Sequence, residues 1–449
     1  MANLLLIDLD EAGIFMGVAY RATLFGHKVK LFVPPGPKLN PNLAKGFQGI
    51  QIIDNWVAHT KWADLVLISD IKKYLPKLDA LKKAGIPYFG PSFQSSRLEY
   101  SRTLGMKFLE SRGIECPPYV AFNSLKEAED YQWKSDKRYV FKPLGDEEDK
   151  AMTYCSKSPE DMISTLQRWQ KQGKKNNQPV MLQEFLPGIE FAVAKSLGSE
   201  GFVGPALESF EHKPLMNDDI GPGTGEMGTV QKYVERSQLF NDVLRPLEAD
   251  LIKMGHQGNI DVNCIIDSKG KAWPLEFTAR WGWPQFNIQL SQHQGDPIQW
   301  MIDAQKGIDT LKVSFDTAIG VVLTQPPFPS ANKTWEEVEK PFFMANENVK
   351  KHVIPQSMMM GSYPHNIDNK IQMKNNWMTC GVYYGIVNAL GNTVEQAQER
   401  VYKTIDKINV SSMMYRTDIG NRVIKKLPDL QQMGFASEWV LGDKNKDKK

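Results

Sequence analysis

The sequence predicts an α/β protein of several units: an N-terminal domain on a doubly wound parallel sheet, then mixed α/β units. Two observations carry this. Over about the first 95 residues, short apolar runs alternate with helical patterns, as strands of a sheet covered on both faces require. The 449 residues also exceed one core, since single cores stop growing at about 250–300 residues, so two to four units are expected.

Taken in order, Leu4 to Ile7 reads as a buried strand, and the turn after it, Leu9 to Ile14, carries Asp10 and Gly13. Ligands of such sheets sit at the carboxyl ends of strands, so this turn faces a site. A helix leads to Gly26, and Val29–Val33, Leu65–Ile68 and Pro87–Gly90 continue as strands. A helix then runs from Arg97 through Leu109. From Tyr119 to Leu186 a compact unit follows: strands at Tyr139–Lys142, Met152–Cys155 and Val180–Gln183, and a helix over Pro159–Gln172. Further strands, a glycine-rich loop and a helix near Leu239–Met254 precede another mixed unit that begins near Val313. The expected units are an N-terminal domain (1–96), a central domain (97–120 and 187–312), a lid (121–186), a C-terminal domain (313–430) and a tail (431–449).

Composition narrows the function classes. With 41% apolar and 24% charged residues the chain reads as an ordinary folded protein. Its net charge of +2, from 54 basic and 52 acidic residues, gives no reason to expect nucleic acid or a membrane as partner. The four cysteines are scattered, without the paired spacing of a zinc site or a disulfide frame. The first apolar run is too short for a signal peptide, and no stretch approaches the ~20 apolar residues that span a bilayer. A cytoplasmic monomer or small homo-oligomer acting on small molecules is expected.

Three features carry chemistry. Lys142 on a strand and Lys150 on the following turn can bracket a polyphosphate as point charges. Gln183-Glu184-Phe185-Leu186 is a strand ending in an apolar hinge that can offer backbone groups to an adenine. Glu190 beyond it can accept hydrogen bonds from ribose hydroxyls. Asp267-Ser-Lys-Gly270 is a hairpin turn, which puts Asn263 and Glu276 on adjacent antiparallel strands, a pair of oxygen ligands suited to Mg²⁺ between protein and phosphates. Taken alone, the lysines read better as a solvated surface pair and Glu190 as an exposed glutamate after a turn, and the third feature as two strands of alternating polarity without a metal. Their order along one chain is what gives them weight.

In that order they resemble the ATP-grasp superfamily. The resemblance sharpens in Glu211-His212-Lys213 and in Asp218 to Gly228, which includes Gly221-Pro-Gly-Thr224-Gly225-Glu226-Met227-Gly228. Together with Leu98-Glu-Tyr-Ser-Arg102, Phe89-Gly-Pro-Ser92 and Tyr415-Arg-Thr-Asp-Ile-Gly-Asn-Arg422, these runs are similar to those of the phosphoribosylamine–glycine ligase family, from about residue 85 to 425.

The resemblance implies an ATP-grasp fold and an ATP- and Mg²⁺-dependent ligase, with two ions, that joins a carboxylate to an amine through an acyl phosphate. It implies that Lys142 meets the α- and β-phosphates and that Gln183 to Leu186 line the adenine. Glu190 would take the ribose, Lys150 would cover the phosphates, and Arg102 would stand where the family has its first nucleotide lysine. Lys213 would reach the γ-phosphate, Glu276 and Asn263 would hold metal, and Arg280 would stabilise developing charge. His212, Gly221, Thr224, Gly225, Glu226 and Met227 would form the substrate loop.

The chain departs from that family where phosphate is read. The turn holding Asp10 has carboxylates in place of the family's arginine-bearing run. Cys380-Gly381-Val382-Tyr383 lacks an arginine, Glu226 replaces a glycine, and Trp281 and Trp283 appear after Arg280. An altered amine, flat or cationic, that stacks on Trp281 or Trp283 and pairs with Glu226 or Asp10 is the expectation. A catalytically silent nucleotide-binding scaffold is the alternative, prompted by the acidic turn at 145–150 and by Thr278 and Arg102 at nucleotide positions.

Overall fold

The computed structural model describes residues 1–8, 13–35, 40–69, 72–144, 153–173, 178–329, 338–367 and 369–442. Asp10, Lys150, Met152 and the acidic turn at 145–150 lie outside the described residues.

Apolar β-branched and leucine runs build the N-terminal sheet. Its four strands are parallel, in the order Ile50–Ile53, Lys28–Phe32, Asn3–Ile7 and Leu65–Ile68. Pro87–Gly90 does not extend it and contributes only a bridge between Tyr88 and Val66. Pro87 and Pro91 have no N–H to donate, so the ladder stops there. After Ile7 the buried Asp8 accepts hydrogen bonds from Phe15 N (3.1 Å) and Ser69 Oγ (3.0 Å), which ties the end of the strand to the start of the helix Met16–Thr23. Gly13 in the same turn has φ +67°, and a Cβ there would lie 2.6 Å from Leu43.

The helix expected over Arg97–Leu109 is two helices, Phe93–Tyr100 and Arg102–Glu110, separated by extended backbone at Ser101. Serine favours caps over helix interiors, and the break makes Arg102 the first residue of the second helix. Pro246 likewise splits the helix expected near Leu239–Met254 into Gln238–Val243, a 3₁₀ turn at Arg245–Leu247 and Glu248–Lys253.

The lid is a four-stranded antiparallel sheet in the order Tyr119–Phe122, Val180–Glu184, Tyr139–Pro143 and Tyr154–Cys155. Helices Leu125–Gln132 and Pro159–Lys171 bury Leu125, Met162, Leu166 and Trp169 with Phe141 and Leu182 of that sheet, so the lid has its own core.

The remaining framework is one eight-stranded sheet. Its order is Ala272–Thr278, Gly258–Ile266, Ile189–Leu197, Phe202–Glu211, Gly228–Val234, Thr317–Thr324, Tyr383–Gly391 and Val353–Pro355. It runs unbroken across the boundary expected near residue 312. Gly228 and Gly320 are where two strands approach so closely that a Cβ on Gly228 would meet Gly320 O at 2.6 Å. Met358–Met360 open a long hairpin arm, Met358–Ile367 with Lys370–Thr379. Among the described residues no helix is long and apolar enough to cross a membrane.

Candidate active site

The register of the large sheet assembles the site. Asp261 and Asn263 alternate along one strand and pair with Thr278 and Glu276 on the next, so all four side chains share a face. Glu190 enters from the strand on the other side, where it is opposite Ile265. Glu211 ends the fourth strand, and Lys213 follows two residues later.

Lys213 Nζ lies 2.8 Å from Glu211, 3.3 Å from Glu190 and 3.7 Å from Glu276. Burial disfavours the ammonium, but Glu211, Glu190 and Glu276 outweigh it and raise its pKa well above the ordinary value. Burial likewise works against the Glu190 carboxylate, yet Lys213, Asn263 and Arg422 bring its pKa below the usual range. Asn263 donates from Nδ2 to Glu190 (2.6 Å) and Glu211 (3.1 Å). Its buried Oδ1 has no partner among the described residues, an acceptor left open.

The lid adds cations from above. Lys142 is buried, and burial pushes its pKa down to about 8; Glu276 opposes the shift while Arg102 and Lys213 add to it. Arg102 donates to Pro143 O (3.1 Å) and Thr153 Oγ1 (3.4 Å) and lies 3.8 Å from Glu276, so it spans lid and central sheet. At the hinge, Phe185 N donates to Arg138 O (2.9 Å), the Arg138 guanidinium covers the Phe185 ring at 3.5 Å, and Glu184 pairs with Lys137. The N–H of Leu186 has no partner among the described residues. Gln183 departs from its expected place: it is buried with Nε2 directed at Met106 Sδ (3.9 Å), beneath the hinge.

The glycine loop is held from behind. Thr224 donates through N and Oγ1 to Lys213 O (3.0 and 2.6 Å), and Met227 N to His212 O (2.8 Å). Asp218 and Asp219 both have positive φ, near +57° and +55°, and Gly221 has φ +88°. This tight turn is clamped by the C-terminal run. Arg416 donates to Asp219 and Asp418 (2.8 Å each) and to Pro214 O (3.1 Å), and Arg422 to Asp219 (2.9 Å) and Glu211 O (2.5 Å).

Three expectations need correction. Trp281 is a core residue: its indole stacks on Phe286 (centroids 4.1 Å apart) and packs near Phe89 and Trp300, because the chain turns inward after Arg280. It offers no face to a substrate. Glu226 is buried and hydrogen-bonded by Thr229 Oγ1, and burial together with Glu211 raises its pKa, so it is not an exposed counter-ion. Met227 is buried in the sheet. Arg280 keeps its charge paired with Glu99 (3.1 Å) while part of its side chain stays exposed.

By contrast Trp283 is half-buried, its Nε1 donating to Gln356 (3.1 Å) and its ring 4.8 Å from Tyr383 and 3.8 Å from a Cβ at Gly225. His212 is buried with neither ring nitrogen partnered among the described residues. Burial, with Arg422 and Arg416, lowers its pKa to about 4.

Sequence reasoning gave no role to Glu211, Asp261, Arg416 or Arg422. The available signal was the polar alternation Asn259-Ile-Asp261-Val-Asn263 along one strand. Among the described residues no three His, Cys, Asp or Glu side chains converge as a metal cage, since Lys213 stands between the carboxylates. Glu276 and the open Asn263 Oδ1 fit a metal that takes its other ligands from phosphate.

This arrangement, a lid with its own core closing a lysine over a carboxylate-lined sheet, defines an ATP-grasp protein. Residues 100–285 match the family described as phosphoribosylglycinamide synthetase, ATP-grasp (A) domain. The phosphoribosylamine–glycine ligase of Vibrio vulnificus (strain CMCP6) is 26% identical over 416 residues, covering 88% of this chain and 93% of that protein. The solved phosphoribosylamine–glycine ligase of Thermotoga maritima superposes with a TM-score of 0.67 at 18% identity, over 93% of this chain and 99% of that one. An L-amino acid ligase from Bacillus licheniformis superposes at 0.57 with 15% identity, over 92% and 99%. Residues 100–285 thus carry the ATP-grasp match, and the chain as a whole is similar to phosphoribosylamine–glycine ligases. As an enzyme it falls in the class of ligases that form carbon–nitrogen bonds, which use ATP with a divalent metal.

Proposed function

We propose that this protein is an ATP-dependent carboxylate–amine ligase that forms an amide through an acyl phosphate, with Mg²⁺ as the metal in two ions. Its carboxylate is glycine or another amino acid, and its amine differs from phosphoribosylamine. The observation that supports this most is the meeting of Lys142, Lys213, Glu190, Glu276 and Asn263 at one point between lid and sheet.

In this reading the substrate carboxylate attacks the γ-phosphorus as the bond to the bridging oxygen breaks and ADP leaves. The amine nitrogen then attacks the acyl carbon, phosphate leaves, and the nitrogen loses a proton. Lys142 and Lys213 place positive charge where the phosphates carry negative charge, and Arg102 holds the lid over them. The open Leu186 N–H and the backbone at Glu184 receive the adenine, and Glu190 the ribose. Mg²⁺ on Glu276 and Asn263 Oδ1 would neutralise phosphate charge. Lid closure keeps water from the acyl phosphate.

The altered amine is supported by the absent arginine at Val382 and by Trp283 beside Tyr383, an aromatic wall under Gly225. The test is ADP release from Mg-ATP with purified protein against panels of amino acids and amines. Release that needs one particular pair, and is lost in Glu276→Ala, supports the ligase. ATP binding without release across the panel leaves the silent scaffold as the better reading.

A further inference from the structure

Lined by none of the candidate active-site residues, a cleft of about 630 Å³ opens between the helix Leu75–Lys83, the start of the helix Phe93–Tyr100 and the segment 252–257. Its lining is unbalanced in charge. Lys82, Lys83 and Lys253 face Asp79 alone among the lining acids, and none of the three makes an ion pair among the described residues. Lys82 Nζ is held by neutral oxygens, Gln257 Oε1 at 2.9 Å and Gly255 O at 3.5 Å, so it is positioned without being neutralised. Burial lowers its pKa to about 8, with Asp79 opposing, as for an ammonium lacking a close counter-ion.

The helix Phe93–Tyr100 points its N-terminus at the same space. Ser92 and Ser95 cap it reciprocally, and His256 Nδ1 meets Ser95 Oγ at 2.9 Å. These bonds rigidify the cap but leave the first N–H groups, those of Phe93 and Gln94, without intrahelical partners. Phe93 and Ile252 are exposed at the rim, 40% and 38% of their surface respectively, and form an apolar shelf beside the lysines. Three unpaired ammonium groups, open N–H donors and an apolar shelf around one concavity are the elements that recognise a phosphate ester.

We propose that this cleft is a second binding site, separate from the nucleotide site, for a phosphate-bearing small molecule. It does not depend on the ligase reading. Lys82, Lys83 and Lys253 supply charge to the phosphate, the N–H groups of Phe93 and Gln94 supply directed hydrogen bonds, and Phe93 and Ile252 cover the apolar part of an organic phosphate.

The experiment is calorimetric titration of the full chain with inorganic phosphate and, separately, with adenosine monophosphate, using Lys142→Ala to weaken the nucleotide site. Saturable binding should persist in Lys142→Ala and weaken at least tenfold when Lys83→Glu and Lys253→Glu are added; both lysines are exposed, so folding should be spared. Lys82→Gln should weaken it similarly. Tighter binding of the nucleotide than of free phosphate, removed by Phe93→Ala, would identify an organic phosphate as the ligand, and equal binding would identify the free anion. No saturable binding of either probe, or binding that Lys142→Ala abolishes and the lysine reversals leave unchanged, would overturn the site.

Discussion

Two clusters in this protein each set a cation among carboxylates and differ in what they leave open. In one, Lys213 stands among Glu190, Glu211 and Glu276; in the other, Arg416 stands between Asp219 and Asp418. Arg416 is buried, and all three of its guanidinium nitrogens donate to a carboxylate, with Pro214 O as a further acceptor. Lys213 is partly exposed, its carboxylates outnumber its charge, and Asn263 beside it keeps a buried acceptor open. A cluster with every valence met is architecture, because nothing further can bind without breaking it. One with surplus anions and an open acceptor is arranged for a cation or donor that arrives later. The contrast teaches that Arg416 and Arg422 clamp the turn before the glycine loop, while the cluster around Lys213 keeps open valences.

The comparison breaks or sharpens in measurable ways. The largest expected effect is in the open cluster: Lys213→Ala should reduce substrate-dependent ADP release by about a thousandfold, the scale of losing a preorganised charge in a reaction centre. Rates within a few-fold of the parent would remove Lys213 from the chemistry. In the closed cluster, Arg416→Ala should instead act on stability, by about 3–5 kcal/mol in denaturant titration, because two carboxylates lose their shared partner. A melting curve matching the parent would deny the clamp.

The paired tryptophans offer a third test. Trp281→Ala should destabilise by about 3–5 kcal/mol, as large core aromatics do. Trp283→Ala should change folding less and raise the KM of the amine more. An inverted pattern would restore Trp281 to the substrate side.

The smallest effect is a pH dependence. Lys142, at about 8 in the folded chain, loses its charge as pH rises through that value, so ATP should bind more weakly above pH 8. Lys142→Arg should flatten the profile. The folded-state value is below the unfolded one, so the penalty for burying this charge is fully present below pH 8 and is relieved as pH rises from there towards the ordinary lysine value. Affinity that holds constant across this range would show that Lys142 stays charged at the nucleotide site.

What the sequence by itself determined was local and periodic. Runs of leucine, isoleucine and valine specified the strands, the Asp267–Gly270 turn specified the hairpin that pairs Asn263 with Glu276, and the glycine loop and C-terminal run carried the ATP-grasp likeness. These were legible because strand alternation and turn chemistry act over a few residues. Tertiary structure alone decided which side chains face the cleft. Trp281 and Trp283 are two residues apart, yet the inward turn after Arg280 buries one and leaves the other at the glycine loop. Glu226 reads as an exposed charge in the sequence and is buried in the fold, where burial and Glu211 raise its pKa. Glu190, Glu211 and Glu276, far apart in the chain, meet at Lys213 through the order of strands in a single sheet. That order follows from how the strands pack, a long-range outcome no short window of sequence contains.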